Sequence, residues 1–147
     1  MDIEKGDIAS YYGSPELVDR ILASLSEAGK SLDSLTVDDF ASFDNLHLGG
    51  VDETLSLARL ATARHGMRVL DVGSGLGASA RTLASNFGCH VVGLDITPEF
   101  CEAAELLSGL VGLGDMVSFK YGDALDMPFD DASFDLVWTQ HTSMNIE

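Results

Sequence analysis

The turn with the sequence VLDVGSGLG at residues 69–77 is the part of this chain whose residue types and spacing point most clearly to chemistry. Gly73, Gly75 and Gly77 let the backbone turn tightly and let a ligand approach without a Cβ in the way. A helix is predicted directly after the turn, and its free N–H groups would point at the same ligand. Because an apolar strand precedes the turn, we expect a nucleoside cofactor here.

The carboxylate of Asp71, two residues before the first glycine, helps to choose between two cofactors. Gly73, Gly75 and Ala78 also fit the loose G-x-G-x-x-[GA] pattern of NAD-binding folds. A carboxylate at the end of a buried strand is costly unless it faces a cation or a hydrogen-bond donor. S-adenosylmethionine offers an ammonium and a sulfonium, whereas the pyrophosphate of NAD would repel it. Asp71 therefore favours S-adenosylmethionine, although it could also cap N–H groups of the turn.

Two further carboxylates follow the next two predicted strands. Asp95, 20 residues after Gly75, could accept hydrogen bonds from two ribose hydroxyls, which both cofactors carry. Asp123 could accept from the adenine amine, while Ala124 offers a backbone N–H to the ring. The alternatives are a helix cap for Asp95 and an ordinary Gly-Asp turn for Asp123.

Composition limits the partners of the chain. Its 147 residues carry 24 acidic and 8 basic side chains, a net charge of −16 that argues against nucleic acid or an anionic membrane as main partner. Cys89 and Cys101 lack metal or disulfide spacing, and His47, His65 and His90 are scattered, so we expect no metal. With no signal peptide or apolar span in this sequence, the expected location is cytoplasmic.

The elements that position these residues change character near Gly66. Residues 1–66 read as an N-terminal helical cap, with a helix opened by Ser14 and Pro15, a capped turn from Thr36, a loop over 44–50 and a helix over 52–65. Residues 67–147 read as a partial cofactor-binding core. Strands at 68–72, 90–94, 116–121 and 134–138 alternate with helices at 77–87 and 98–111. This α/β order predicts a Rossmann-like parallel sheet with helices on both faces, within one structural domain.

The motifs taken together resemble the class I S-adenosylmethionine-dependent methyltransferases. The residues that carry the resemblance are VLDVGSGLG at 69–77, GLDIT at 93–97, GDALDMPF at 122–129 and SFDLVWTQHTSMNI at 133–146. The later motifs are most similar to the branch acting on small molecules, such as the sarcosine/dimethylglycine and the ubiquinone or tocopherol types. The resemblance covers about 67–147, and the family's sheet normally has three more strands. We therefore expect an incomplete sheet, which puts the activity of the isolated chain in doubt even if the full gene product is an enzyme.

The resemblance also implies roles for single residues. Asp71, Gly73, Ser74 and Gly75 would line the methionine part of S-adenosylmethionine, whose product form is S-adenosylhomocysteine. Asp95 would take the ribose hydroxyls, Ile96 would pack on adenine, and Asp123 and Ala124 would flank its edge. Gln140 would lie near the methionyl and sulfonium end. The helical cap would cover the cofactor, with Tyr11-Tyr12 and Gly49-Gly50 as cap elements and Gly50 near the methionine carboxylate.

The implied reaction is an in-line methyl transfer to a small-molecule acceptor. The methyl group is already activated by positive sulfur, so alignment and water exclusion dominate. A general base is needed only for a protonated nucleophile, and His141 is the weak candidate for it. Two other functions stay open: the nucleotide domain of an NAD-dependent oxidoreductase, and a non-catalytic module that keeps the fold. The unfinished sheet edge leaves room for a homodimer.

Overall fold

The computed structural model describes residues 16–40 and 50–146, and its first part is helical. Helix α1 spans Leu17–Glu27 and helix α2 spans Gly50–Leu60, with 3-10 turns at Leu32–Ser34 and Val37–Phe40 between them. The predicted helix start at Ser14 and Pro15, the pair Tyr11-Tyr12, the loop over 44–49, His47 and Gly49 lie outside the described residues. Among the residues that are described, no helix is long and apolar enough to cross a membrane.

The end of α2 differs from the prediction. The sequence predicts a helix over 52–65, but α2 starts at Gly50 and ends at Leu60. The Thr62 N–H bonds to Arg59 O at 3.1 Å and the Ala63 N–H bonds to Ala58 O at 2.9 Å, while Thr62 has a φ of 54°. These two bonds and the left-handed residue form a Schellman end. Because threonine takes the position where glycine is usual, the sequence pattern conceals the stop.

The second part alternates strands and helices as predicted. Its elements in chain order are β1 (Arg68–Val72), α3 (Ala78–Phe87), β2 (His90–Asp95), α4 (Pro98–Leu110), β3 (Val117–Tyr121), β4 (Leu136–Trp138) and a 3-10 turn (Ser143–Asn145). All strand pairs are parallel and the order across the sheet is β3-β2-β1-β4. The chain therefore leaves β1 toward β2 on one side and returns to β4 on the other. The predicted α/β Rossmann-like fold is confirmed, and β3 and β4 are shorter than predicted.

The two faces of the sheet are covered differently. On one face, Ala80, Leu83 and Ala84 of α3 pack against Val69 and Val91. On the other face, the cover comes from the loop over 122–135 that joins β3 to β4. Its side chains join a second cluster made of Leu70, Val72, Leu94, Ala124, Phe129, Phe134 and Ile146. In the described chain this second cluster is thus packed by a loop, whose Gly122 and Pro128 suit turns.

Candidate functional site

The glycine-rich turn joins the carboxyl ends of β1 and β2. The N–H groups of Gly73 and Ser74 both bond to Leu94 O, at 2.7 and 3.1 Å. Gly73, Gly75 and Gly77 have φ angles of 73°, 53° and 85°, which L side chains rarely adopt. The predicted need for glycine at these three positions therefore has a direct backbone cause. The turn lies beside the β1–β4 boundary of the sheet, where strand order reverses and ligands of open α/β folds usually bind.

Asp71 is buried beneath this turn, as the sequence predicts for the end of β1. Its residue surface is 2% exposed, and its Oδ2 atom has no hydrogen-bond partner among the described residues. Burial, and then the nearby charge of Asp95, raise the pKa of Asp71 to about 7. A cation placed beside Oδ2 would reverse part of this shift. The alternative role of Asp71 is to cap N–H groups of the turn. None of the described N–H groups donates to its Oδ2 atom.

Asp95 makes the capping contacts that the sequence left open as an alternative. Its Oδ2 accepts from the Gly75 N–H at 2.8 Å and its Oδ1 accepts from the Thr97 N–H at 2.9 Å. Burial raises the pKa of Asp95, and the backbone hydrogen bonds oppose that rise. Each carboxylate oxygen has a second lone pair, so ribose hydroxyls could still be accepted. Ribose binding by Asp95 stays a prediction.

The loop after β3 is brought to the same edge. The Gly122 N–H donates to Asp95 O at 2.9 Å. Asp123 Oδ1 accepts from the Leu125 N–H at 2.9 Å, which is the ordinary turn contact considered above. Ala124 packs against the Leu70, Val72 and Leu94 cluster. Adenine contacts by Asp123, Ala124 and the half-buried Ile96 stay predictions.

Gln140 lies where three elements meet. Its Oε1 accepts hydrogen bonds from Thr54 Oγ1 of α2 and Ser79 Oγ of α3, both at 3.1 Å. Two residues later, the Thr142 hydroxyl donates to Gly73 O at 3.2 Å. The segment after β4 is thus tied both to the helical cap and to the glycine-rich turn. Sequence reasoning missed Thr54, Ser79 and Thr142, since isolated hydroxyls carry no motif.

His141 lies at the exposed side of this segment. Its Nε2 is 3.9 Å from Glu53 Oε2 of α2, and the two side chains are 40% and 48% exposed. The residue has a φ of 55°, a conformation uncommon outside glycine. The carboxylate of Glu53 was not anticipated from the sequence. The role of His141 as a general base stays a prediction.

Comparison with known proteins identifies the family. A family model described as a methyltransferase domain matches residues 70–147, which is more than half of the chain. The chain belongs to this methyltransferase family. The match contains the glycine-rich turn, Asp95, the loop after β3 and Gln140. It confirms the resemblance drawn from the motifs and gives no support to the NAD-dependent oxidoreductase.

Individual methyltransferases are similar over the same region. The chain is 43% identical over 75 residues to a tocopherol O-methyltransferase, chloroplastic, from Arabidopsis thaliana, covering 51% of this chain and 22% of that protein. It is 38% identical over 93 residues to the ajmaline N-methyltransferase of Rauvolfia serpentina, covering 62% and 32%. The chain thus spans less than a third of the length of these curated relatives.

A solved structure shares the fold. It is an S-adenosylmethionine-dependent methyltransferase from Thiobacillus denitrificans in complex with S-adenosylhomocysteine. The sequences are 26% identical, the TM-score is 0.57, and the alignment covers 73% of this chain and 44% of that one. The described chain therefore corresponds to part of a larger methyltransferase fold.

Proposed function

We propose that this chain binds S-adenosylmethionine and forms the cofactor half of an enzyme that transfers its methyl group to a small molecule. The observation that carries the proposal is the buried Oδ2 of Asp71, which has no described partner at the end of β1. A buried carboxylate of this kind requires a cationic partner in order to ionise at low cost. The ammonium of the amino-acid end would supply that partner.

The turn above Asp71 fits the rest of such a cofactor. A Cβ added at Gly75 would meet no atom within 4 Å, so the space beside this residue is open. The Gly75 N–H of the turn bonds to Asp95, whose oxygens each keep a second lone pair that could accept from a polar ligand such as a ribose. These two features suit the ribose that both cofactors carry, so the choice of the sulfonium cofactor over NAD rests on Asp71.

The chemistry that the chain must supply is modest. When bound, S-adenosylmethionine supplies a methyl group already activated by positive sulfur. Asp71 would hold the ammonium end, Asp95 the ribose, and the glycine-rich turn would fix the position between them, so that the reacting groups are aligned. His141 would accept a proton from an acceptor that arrives protonated, and Glu53 would orient the imidazole.

The acceptor is proposed from the relatives. One is named a tocopherol O-methyltransferase and another an ajmaline N-methyltransferase, so oxygen and nitrogen nucleophiles are both candidates. We propose a small organic acceptor, and no nucleic-acid substrate because of the strong negative charge. A cytoplasmic location, in contrast to the chloroplast named for the tocopherol relative, and a homodimer are kept as proposals. Fractionation of the source cells and sedimentation of the chain test them.

The cofactor proposal is tested by calorimetric titration of the chain with S-adenosylmethionine, S-adenosylhomocysteine and NAD. We expect saturable binding of the first two and no binding of NAD. The Asp71→Asn variant keeps the side-chain shape and should weaken S-adenosylmethionine binding about tenfold, through loss of a charged hydrogen bond. Binding of NAD alone would replace the proposal with the oxidoreductase, and binding of none of the three would favour the non-catalytic module.

A further inference from the structure

The amide of Gln140 is oriented by two hydroxyl groups. Thr54 Oγ1 and Ser79 Oγ both donate to Oε1 at 3.1 Å, from helices α2 and α3. Thr54 is 1% exposed, whereas Ser79 and Gln140 are half-buried, so this arrangement lies at the edge of the protein interior. With Oε1 held between two donors, the amide plane is set and Nε2 must occupy the remaining end. The contacts thus determine which atom of Gln140 is available to a ligand.

The Nε2 atom of Gln140 is buried and has no hydrogen-bond partner among the described residues. An amide nitrogen of this kind can only donate hydrogen bonds. Leaving a buried donor unpaired costs about 1–3 kcal/mol. Since Oε1 is fully engaged, the simplest way to remove this cost is a ligand atom that accepts a hydrogen bond.

Asp71 presents the opposite case on the neighbouring strand. Its Oδ2 is a buried acceptor with no described donor. Asp71 pairs in register with Trp138, and Gln140 follows two residues later. Thr142 then bonds to Gly73 O at 3.2 Å, so the segment containing Gln140 runs along the glycine-rich turn. The unpaired acceptor of Asp71 and the unpaired donor of Gln140 therefore lie at the carboxyl ends of the neighbouring strands β1 and β4.

We propose that Gln140 donates a hydrogen bond to the carboxylate of the amino-acid end of the cofactor, while Thr54 and Ser79 hold its amide in place. This inference rests on the proposed function, which assigns the ammonium to Asp71. A zwitterionic amino-acid group supplies a donor and an acceptor side by side, which matches the two buried atoms. Gln140 would also couple the position of α2 to the presence of the cofactor, through Thr54.

The test compares two ligands that differ in the carboxylate alone. S-adenosylmethionine and decarboxylated S-adenosylmethionine are titrated into the chain and into the variant Gln140→Leu. We expect the variant to bind S-adenosylmethionine about tenfold more weakly and the decarboxylated ligand within about twofold of the wild type. Gln140→Glu should still accept from both hydroxyls, but should weaken S-adenosylmethionine even more, because two carboxylates would face each other.

Matched variants separate binding from folding. Thr54→Val removes one orienting hydroxyl and should weaken S-adenosylmethionine binding selectively, though less than Gln140→Leu. Ser56→Ala removes a hydroxyl from the exposed side of the same helix and should change neither affinity. Thermal unfolding of each variant checks that a loss of binding does not come from a loss of folding.

Two results would overturn this inference while the proposed function stands. The first is unchanged S-adenosylmethionine binding by Gln140→Leu. The second is an equal loss of affinity for both ligands, which would give Gln140 a structural role. A wild-type chain that binds neither ligand would overturn the proposed function together with the inference.

Discussion

The Gly75 N–H donates a 2.8 Å hydrogen bond to Asp95 Oδ2 across 20 residues of sequence. This bond joins the glycine-rich turn after β1 to the acidic end of β2. The second oxygen of Asp95 accepts from the Thr97 N–H at 2.9 Å, directly before α4. Asp95 therefore organises the turn, and each of its oxygens keeps a lone pair for the proposed contact with ribose.

Replacement of Asp95 by alanine should affect both roles. The Asp95→Ala variant loses the contacts to Gly75 and Thr97 and any bonds to ribose hydroxyls. We expect S-adenosylmethionine affinity to fall at least about tenfold, or roughly 1.4 kcal/mol, measured by calorimetry. Thr36→Ala, which removes a capping hydroxyl in the helical cap away from this edge, serves as the control. An unchanged dissociation constant for Asp95→Ala would contradict the assignment.

The buried charge of Asp71 should make stability depend on pH. Its folded pKa is about 7 against an ordinary value of 3.8, so the folded state favours the protonated form. The stability associated with protonated Asp71 is full below about pH 4 and is lost as the pH rises toward 7. Relative to Asp71→Asn, the wild-type free energy of unfolding should fall by up to about 1.4 kcal/mol per pH unit across this interval. Urea unfolding of both proteins at several pH values measures the difference, and parallel curves would contradict it.

Gly93 in the middle of β2 should not tolerate a larger side chain. A Cβ at this position would meet the Phe119 ring and would lie 2.6 Å from Ser74 Oγ. We expect Gly93→Ala to lower the free energy of unfolding by about 1–3 kcal/mol, because the packed interior would have to shift. Gly109→Ala, where a Cβ would meet no atom within 4 Å, is the matched control and should not destabilise the helix. Equal stability of Gly93→Ala and the wild type would refute the close packing described here.

The Schellman end of α2 offers a stabilising substitution. Thr62 is exposed and has a φ of 54°, where glycine avoids the strain of a side chain. Thr62→Gly should raise the free energy of unfolding by about 0.5–1 kcal/mol. Ser56→Gly, inside the same helix, should lower it by a similar amount. Chemical denaturation of the three proteins checks the opposite signs, and a destabilising Thr62→Gly would argue against this helix end.

The sequence was most informative where residue type is dictated by backbone geometry. The backbone at residues 73, 75 and 77 is left-handed, which favours glycine. The three glycines therefore predicted the turn, together with the strand before it and the helix after it. Pro98 likewise marks the first turn of α4. The end of α2 could not be predicted because Thr62 adopts a glycine-like conformation.

The site was predictable in its acidic residues and less so in its hydroxyl contacts. Asp71 and Asp95 lie at the carboxyl ends of β1 and β2 within motifs, and their placement at one edge of the sheet follows from parallel topology. Thr54 reaches Gln140 across 86 residues of sequence, and no local pattern reports such a contact. The loop over 122–135 was missed as sheet cover because its apolar residues follow neither strand nor helix spacing.

The measurement that tests the central claim most directly is the proton count of S-adenosylmethionine binding. Calorimetric titrations at pH 6 in two buffers of different ionisation enthalpy give the number of protons exchanged. Asp71, with a pKa of about 7, is mostly protonated before binding, and a ligand ammonium beside it would favour the ionised form. We predict release of close to one proton by the wild type and none by Asp71→Asn. Binding without proton release by the wild type would contradict recognition of the cofactor by Asp71.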